Sequence, residues 1–102
     1  VQVEEYIQNN YSNTITLADL TQIVGVSVAQ LERYCKKIYH LTPRQMISKV
    51  RLQVAIELLA TDLAITDIGL HCGYTDHSAF CRQFKIHTGL SPSQYRNTYK
   101  NE

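Results

Sequence analysis

The stretch "DHSAFCRQFKIHTGLSPSQYR", residues 76–96, restates much of "VAQLERYCKKIYHLTPRQM", residues 28–46, in the same order. An offset of 49 residues pairs Leu31 with Phe80, Arg33 with Arg82, Cys35 with Phe84, Lys36 with Lys85, Leu41 with Leu90, Pro43 with Pro92 and Gln45 with Gln94. The pairs are helix starts, apolar positions at helical spacing and two cations, so a shape and a charged face repeat together. Upstream the offset becomes 48: "IVGVS" (23–27) answers to "HCGYT" (71–75), and Leu17, Asp19 and Leu20 answer to Ile65, Asp67 and Ile68. Each copy is a helix, a tight turn through Gly25 or Gly73, and a second helix with a polar outer face, which is a helix-turn-helix.

Around the two copies the sequence predicts helices and no strand. Val3, Tyr6 and Ile7 mark a short first helix that "NNYSNT" closes. Thr16 and Asp19 form a capping-box pattern before Leu17, Leu20 and Val24, and Gly25 ends that helix. Ser27 caps the next, whose Val28, Leu31, Cys35 and Ile38 are expected inside, with Ala29, Gln30, Glu32, Arg33, Lys36 and Lys37 outside. Thr42-Pro43 opens the longest helix, since proline is tolerated where its missing donor is not needed. It runs to about Ala60 with apolar residues on more than one face, as a central strut of roughly 27 Å requires. The expectation is an all-α fold of about seven helices. A first helix-turn-helix subdomain covers 1–42, a linker helix 43–60 and a second helix-turn-helix subdomain 61–102, within one compact domain overall.

The 102 residues, 44% hydrophobic, fit one soluble globular domain. Cys35, Cys72 and Cys81 are an odd number without C-x-x-C spacing, so the reducing cytoplasm is expected rather than a disulfide framework. No apolar run reaches spanning length and no signal-peptide pattern is present, so no membrane partner is expected. A chain opening at Val1 rather than Met is expected to be a piece of a longer protein or a short one lacking its start. Net charge is only +1, yet Arg33, Lys36, Lys37, Arg44, Lys49 and Arg51 follow one another without an acid, while residues 1–32 hold Glu4, Glu5, Asp19 and Glu32 without a Lys or Arg. The same order of acid then base recurs in the second copy, with Arg82, Lys85, Arg96 and Lys100 at its end. His71, Cys72, His77, Cys81 and His87 are metal-ligand types, and His77 and Cys81 share a helical face, but no second close pair completes a tetrahedron. No metal, no cofactor and no catalytic residues are expected, and the protein is not expected to be an enzyme.

A helix-turn-helix suits duplex DNA because the major groove, about 12 Å wide, accepts one helix and presents base edges to its outer side chains. The candidate base readers are Ala29, Glu32 and Arg33 in the first copy and His77, Ser78, Cys81 and Arg82 in the second. An arginine fork can donate two bonds to guanine O6 and N7, Glu32 can accept from cytosine N4, and Cys81 can sit against a thymine methyl. The candidate phosphate contacts are Ser27, Lys36, Lys37, Arg44, Lys85 and Arg96. Among the candidate base readers only the arginine is shared, so the copies are expected to read different sequences in successive major-groove segments, without two-fold symmetry. A strut shorter than a DNA turn of about 34 Å predicts bending. The competing possibility is a helical module that binds protein without DNA, whose mark would be an exposed apolar stripe on 28–38 or 77–87. Arg51 and Asp76 are a candidate internal ion pair, and Tyr74, Phe80 and Phe84 are expected in the core.

"GVSVAQLERYCKKIYHLTP", "RLQVAIELL" and "DIGLHCGYTDHSAFCRQFKIHTGLSPSQYR" together resemble the DNA-binding domain of AraC/XylS-type transcription regulators, over roughly residues 3–99. The second half carries the more specific part: Gly73-Tyr74, Asp76, Ser78, Phe80, Arg82, Phe84, Lys85, Gly89, Ser91, Pro92, Tyr95 and Arg96. The resemblance implies sequence-specific binding of double-stranded DNA by a transcription regulator such as an activator. It further implies RNA polymerase as a partner and an N-terminal effector-sensing domain outside this chain. Cys35 stands where that family usually has Phe, Thr21 and Gly69 where it has Ala, and His40 where it often has Gly. The small residues at 35 and 69 are expected to loosen packing, and His40 to be strained if its φ is positive.

Overall fold

Hydrogen-bonding side chains fix where most helices begin. The computed structural model describes residues 2–99, and among these it contains seven helices: α1 (Gln2–Asn10), α2 (Leu17–Val24), α3 (Val28–Tyr39), α4 (Pro43–Leu59), α5 (Ile65–His71), α6 (His77–Thr88) and α7 (Pro92–Tyr99). At α2, Thr16 Oγ1 accepts from the Asp19 amide at 3.1 Å while Asp19 Oδ2 accepts from the Thr16 amide at 3.0 Å. The same exchange starts α3 with Ser27 and Gln30, α4 with Thr42 and Gln45, and α7 with Ser91 and Gln94. Each pair satisfies two amides that have no partner within the helix. Asp76 caps α6, accepting from the Ala79 amide at 2.7 Å. At α5, by contrast, Ala64 at the cap offers no side-chain bond.

The two copies also end alike. α3 closes on His40 at φ 60° and ψ 24°, and α6 closes on Gly89 at φ 83°, the position 49 residues on. The expected strain at His40 is therefore present, because a Cβ in the left-handed region crowds the following carbonyl by about 1–2 kcal/mol.

Two compact units divide the chain, one up to Val50 and one from Arg51 onward, and the division falls within α4. In the first, Val3 and Ile7 of α1, Leu20 of α2, Leu31 and Cys35 of α3 and Met46 and Ile47 of α4 form the buried cluster. In the second, Ala55 and Leu59 of α4 join Ile68, Cys72, Phe80 and Phe84. That double service is why the apolar residues of α4 do not keep to one face. The second core is aromatic: ring centroids run from Tyr74 to Phe80 at 5.0 Å, Phe80 to Phe84 at 5.8 Å, Phe84 to Tyr95 at 5.4 Å and Tyr95 to Tyr99 at 4.5 Å.

Two expectations about packing are corrected. Val28 and Ile38 are 42% and 53% exposed, because they occupy the two ends of α3, past the Leu31 and Cys35 layer. Gly69 does not loosen the second unit: a Cβ there would lie 2.8 Å from Phe80 Cδ2 and 2.9 Å from Cγ, so the ring already fills that space. Cys35 is fully enclosed. Cys72 is enclosed as well, and burial pushes its thiol up to about 11 although the nearby Arg51 pulls it the other way.

Candidate nucleic-acid interface

The outer faces of α3 and α6 are built by the same rotation. At about 100° per residue, Arg33 stands opposite the midpoint between Leu31 and Cys35, and Arg82 opposite the midpoint between Phe80 and Phe84. Burial of those four anchors therefore aims both arginines outward. Ala29 and Lys36 lie within about 60° of Arg33 on one side, and Ser78 and Lys85 lie beside Arg82 in the same way. All six are exposed. Glu32 and Cys81 lie on one flank, where Cys81 is half-buried and Glu32 exposed, and Lys37 and Ile86 lie on the other.

The structure thus groups Ala29, Glu32 and Arg33 with Lys36 and Lys37 on α3, and His77, Ser78, Cys81 and Arg82 with Lys85 on α6. His77 Nε2 touches Cys81 Sγ at 3.4 Å, which ties the two together one turn apart. Arg44 is exposed in the first turn of α4. Two expected phosphate contacts are held by the protein itself. The Ser27 hydroxyl accepts from the Gln30 amide and donates to Gln30 Oε1 at 3.3 Å, so it serves the cap of α3. Arg96, half-buried on α7, donates through Nε to the Leu59 carbonyl at 3.1 Å and through Nη2 to the Leu63 carbonyl at 2.7 Å.

Ile86, 67% exposed beside Arg82, was not singled out by the sequence. Its signal was the pairing with Lys37 at the offset of 49, which shows an outward position whatever the residue type. The exposed apolar residues of α3, Val28, Tyr34 and Ile38, lie toward its buried side, within about 80° of the Leu31–Cys35 midpoint, and leave the Arg33 face polar and basic. Among the described residues no three of the His, Cys, Asp and Glu side chains are arranged to hold a metal ion, and no helix is long and apolar enough to cross a membrane.

The profile of a family described as a helix-turn-helix domain matches residues 20–98. A probable AraC family transcriptional regulator from Rhodopseudomonas palustris superposes with a TM-score of 0.81 at 31% identity, over 95% of this chain and 93% of that one. The transcriptional activator AarP of Providencia stuartii is 33% identical over 92 residues, 89% of this chain and 68% of its own length. The chain belongs to the AraC/XylS-type helix-turn-helix family. The raffinose operon regulator RafR of Pediococcus pentosaceus, another AraC/XylS-type relative, is 33% identical over 94 residues. That match takes in 91% of this chain but 34% of RafR, so the chain spans about a third of that relative. Within the AraC/XylS-type frame, the pairing of α2 with α3 and of α5 with α6 supplies the two helix-turn-helix units, with α4 running from one into the other.

Proposed function

We propose that this AraC/XylS-type chain is the part of a transcription regulator that binds duplex DNA sequence-specifically, with α3 and α6 each entering a major-groove segment. The observation that carries it is the matched outward placement of Arg33 and Arg82, each opposite a buried pair and each flanked by a lysine. Arg33 and Arg82 take guanines, and Glu32, Ala29, Ser78, His77 and Cys81 set the neighbouring bases. Lys36, Lys37, Arg44 and Lys85 hold phosphates and supply the salt-dependent share of affinity. RNA polymerase and an effector-sensing domain on the same polypeptide complete this function, and the cytoplasm is the compartment it requires.

Selection of bound sequences from a random duplex pool tests it. A two-part, non-palindromic motif is expected, because the outer faces share only their arginine and its lysine. Changing Glu32→Gln should shift the base preference in one part alone. A palindromic motif, or no enrichment over the starting pool, would overturn the assignment.

A further inference from the structure

Arg96 is a cation in a DNA-binding domain, yet its geometry gives it a different task. The last carbonyls of α4 need partners from outside the helix. The Glu57 carbonyl accepts from the Ala60 amide at 3.2 Å and the Leu58 carbonyl from the Thr61 amide at 3.0 Å. The Leu59 carbonyl is taken by Arg96 Nε, and Arg96 Nη2 reaches four residues further along the chain to Leu63. One guanidinium therefore closes the end of α4 and pins the connection to α5 at both of its sides. Arg96 also lines a small cavity of about 160 Å3 with Ile56, Leu59, Ala60, Tyr95 and Tyr99.

The Thr61 hydroxyl also ties the connection, donating to the Leu58 carbonyl and accepting from the Leu63 amide at 3.2 Å. Ala64 gives α5 no side-chain cap, so the approach to α5 is held through Leu63, its amide by Thr61 and its carbonyl by Arg96. From α5 the constraint passes to α6 through Gly69, whose missing Cβ lets Phe80 pack against the helix backbone. Phe80 in turn sets the rotation of α6 that aims Arg82 outward. At the offset of 49 the first unit has Ile47 in place of Arg96, buried in its core, so the guanidinium is a solution specific to the second unit.

We propose that Arg96 is a positioning residue for DNA recognition by the second unit: it fixes the α4–α5 connection and through it the orientation of α6, without contacting phosphate. This rests on the DNA-binding function proposed above. The test uses the whole chain with Arg96→Lys, which keeps the charge, and Arg96→Gln, which removes it. Binding is measured against salt on the selected site and on the same site with the part read by the second unit scrambled, and amide exchange is followed under folded conditions. Loss of charge-assisted bonds should speed exchange in α5 by about tenfold or more in both variants, while α3 is unaffected. Affinity for the intact site should fall by a similar factor in both, with an unchanged salt slope, and affinity for the scrambled site should stay at the parent value. A normal Arg96→Lys protein beside an Arg96→Gln protein whose salt slope is shallower by about 0.9 would identify a phosphate contact and overturn the proposal. Faster α5 exchange with unchanged preference for the intact site would also overturn it, leaving a role in stability alone. A parent chain that binds no duplex fails the DNA-binding assignment itself, which is a separate result from either.

Discussion

Gly69→Ala should destabilise the second unit, against the usual rule that alanine improves a helix. Alanine in place of glycine within a helix is worth about 0.5–1 kcal/mol. At Gly69 that gain meets three contacts with one buried ring: 2.8 Å to Phe80 Cδ2, 2.9 Å to Cγ and 3.1 Å to Cβ. Cγ and Cβ are the root of the side chain, so rotating the ring does not clear them and α5 must move away from α6. Overpacking of this kind costs about 1–3 kcal/mol, and two separations below 3.0 Å put this case in the upper part of that range. The net loss should be about 1–2 kcal/mol in urea unfolding followed by a probe in the second unit. Phe80→Ala removes the obstructing Cγ and Cδ2, so the double variant should lose at least about 1 kcal/mol less than the sum of the single losses. Equal or greater stability of Gly69→Ala, or strict additivity with Phe80→Ala, would refute the close approach as the reason for glycine at this position.

Arg82→Ala should weaken binding of the preferred sequence by about 1–3 kcal/mol and relax choice at one base pair, whereas Lys85→Ala or Lys37→Ala should weaken all duplexes alike and reduce the salt slope by about 1. Anisotropy titrations on preferred and random duplexes decide this, and equal losses on both for Arg82→Ala would make that arginine a phosphate anchor. The Cys72 thiol, raised from 9.0 to about 11 by burial, binds its proton more tightly when folded. Its contribution to stability is complete below pH 9 and is lost as pH rises toward 11, at about 1.4 kcal/mol per unit, so Cys72→Ala should flatten the alkaline fall in denaturant midpoint. His40→Gly should stabilise the first unit by about 0.5–1 kcal/mol in urea unfolding, since the exposed His40 holds φ 60° where the second unit has Gly89. An unchanged midpoint would mean that the imidazole makes compensating contacts.

What was legible in the sequence was local or periodic. Capping boxes show as a Ser or Thr three residues before Gln or Asp, and the rotation that exposes Arg33 and Arg82 follows from apolar spacing alone. Positive φ at His40 was legible through its pairing with Gly89. Val28 and Ile38 fit the same apolar spacing but lie where no layer covers them, because periodicity gives a direction around a helix and not the extent of the core along it. The intramolecular bonds of Ser27 and Arg96 were hidden for a different reason. A hydroxyl or a guanidinium is marked by its type as available to a phosphate, while the groups that occupy it here are a glutamine side chain and backbone carbonyls. Every residue has a carbonyl, so a bond to one leaves no trace in the composition or the spacing of the chain.

Comparison of the two copies recovers part of what single positions hide. Their outer faces agree at Arg33 and Arg82 and at Lys36 and Lys85, and their turns agree at left-handed positions, while the supports beneath them differ: Leu31 and Cys35 under one face, Phe80 and Phe84 under the other. A bulkier pair requires room, and Gly69 supplies it where Thr21 stands in the first unit. The small residue at 69 and the large one at 80 are thus one packing solution, to be judged together. Read singly, Gly69 looks like a missing methyl group. Beside Phe80 it is the condition for α5 and α6 to approach closely enough that Arg82 points away from the core.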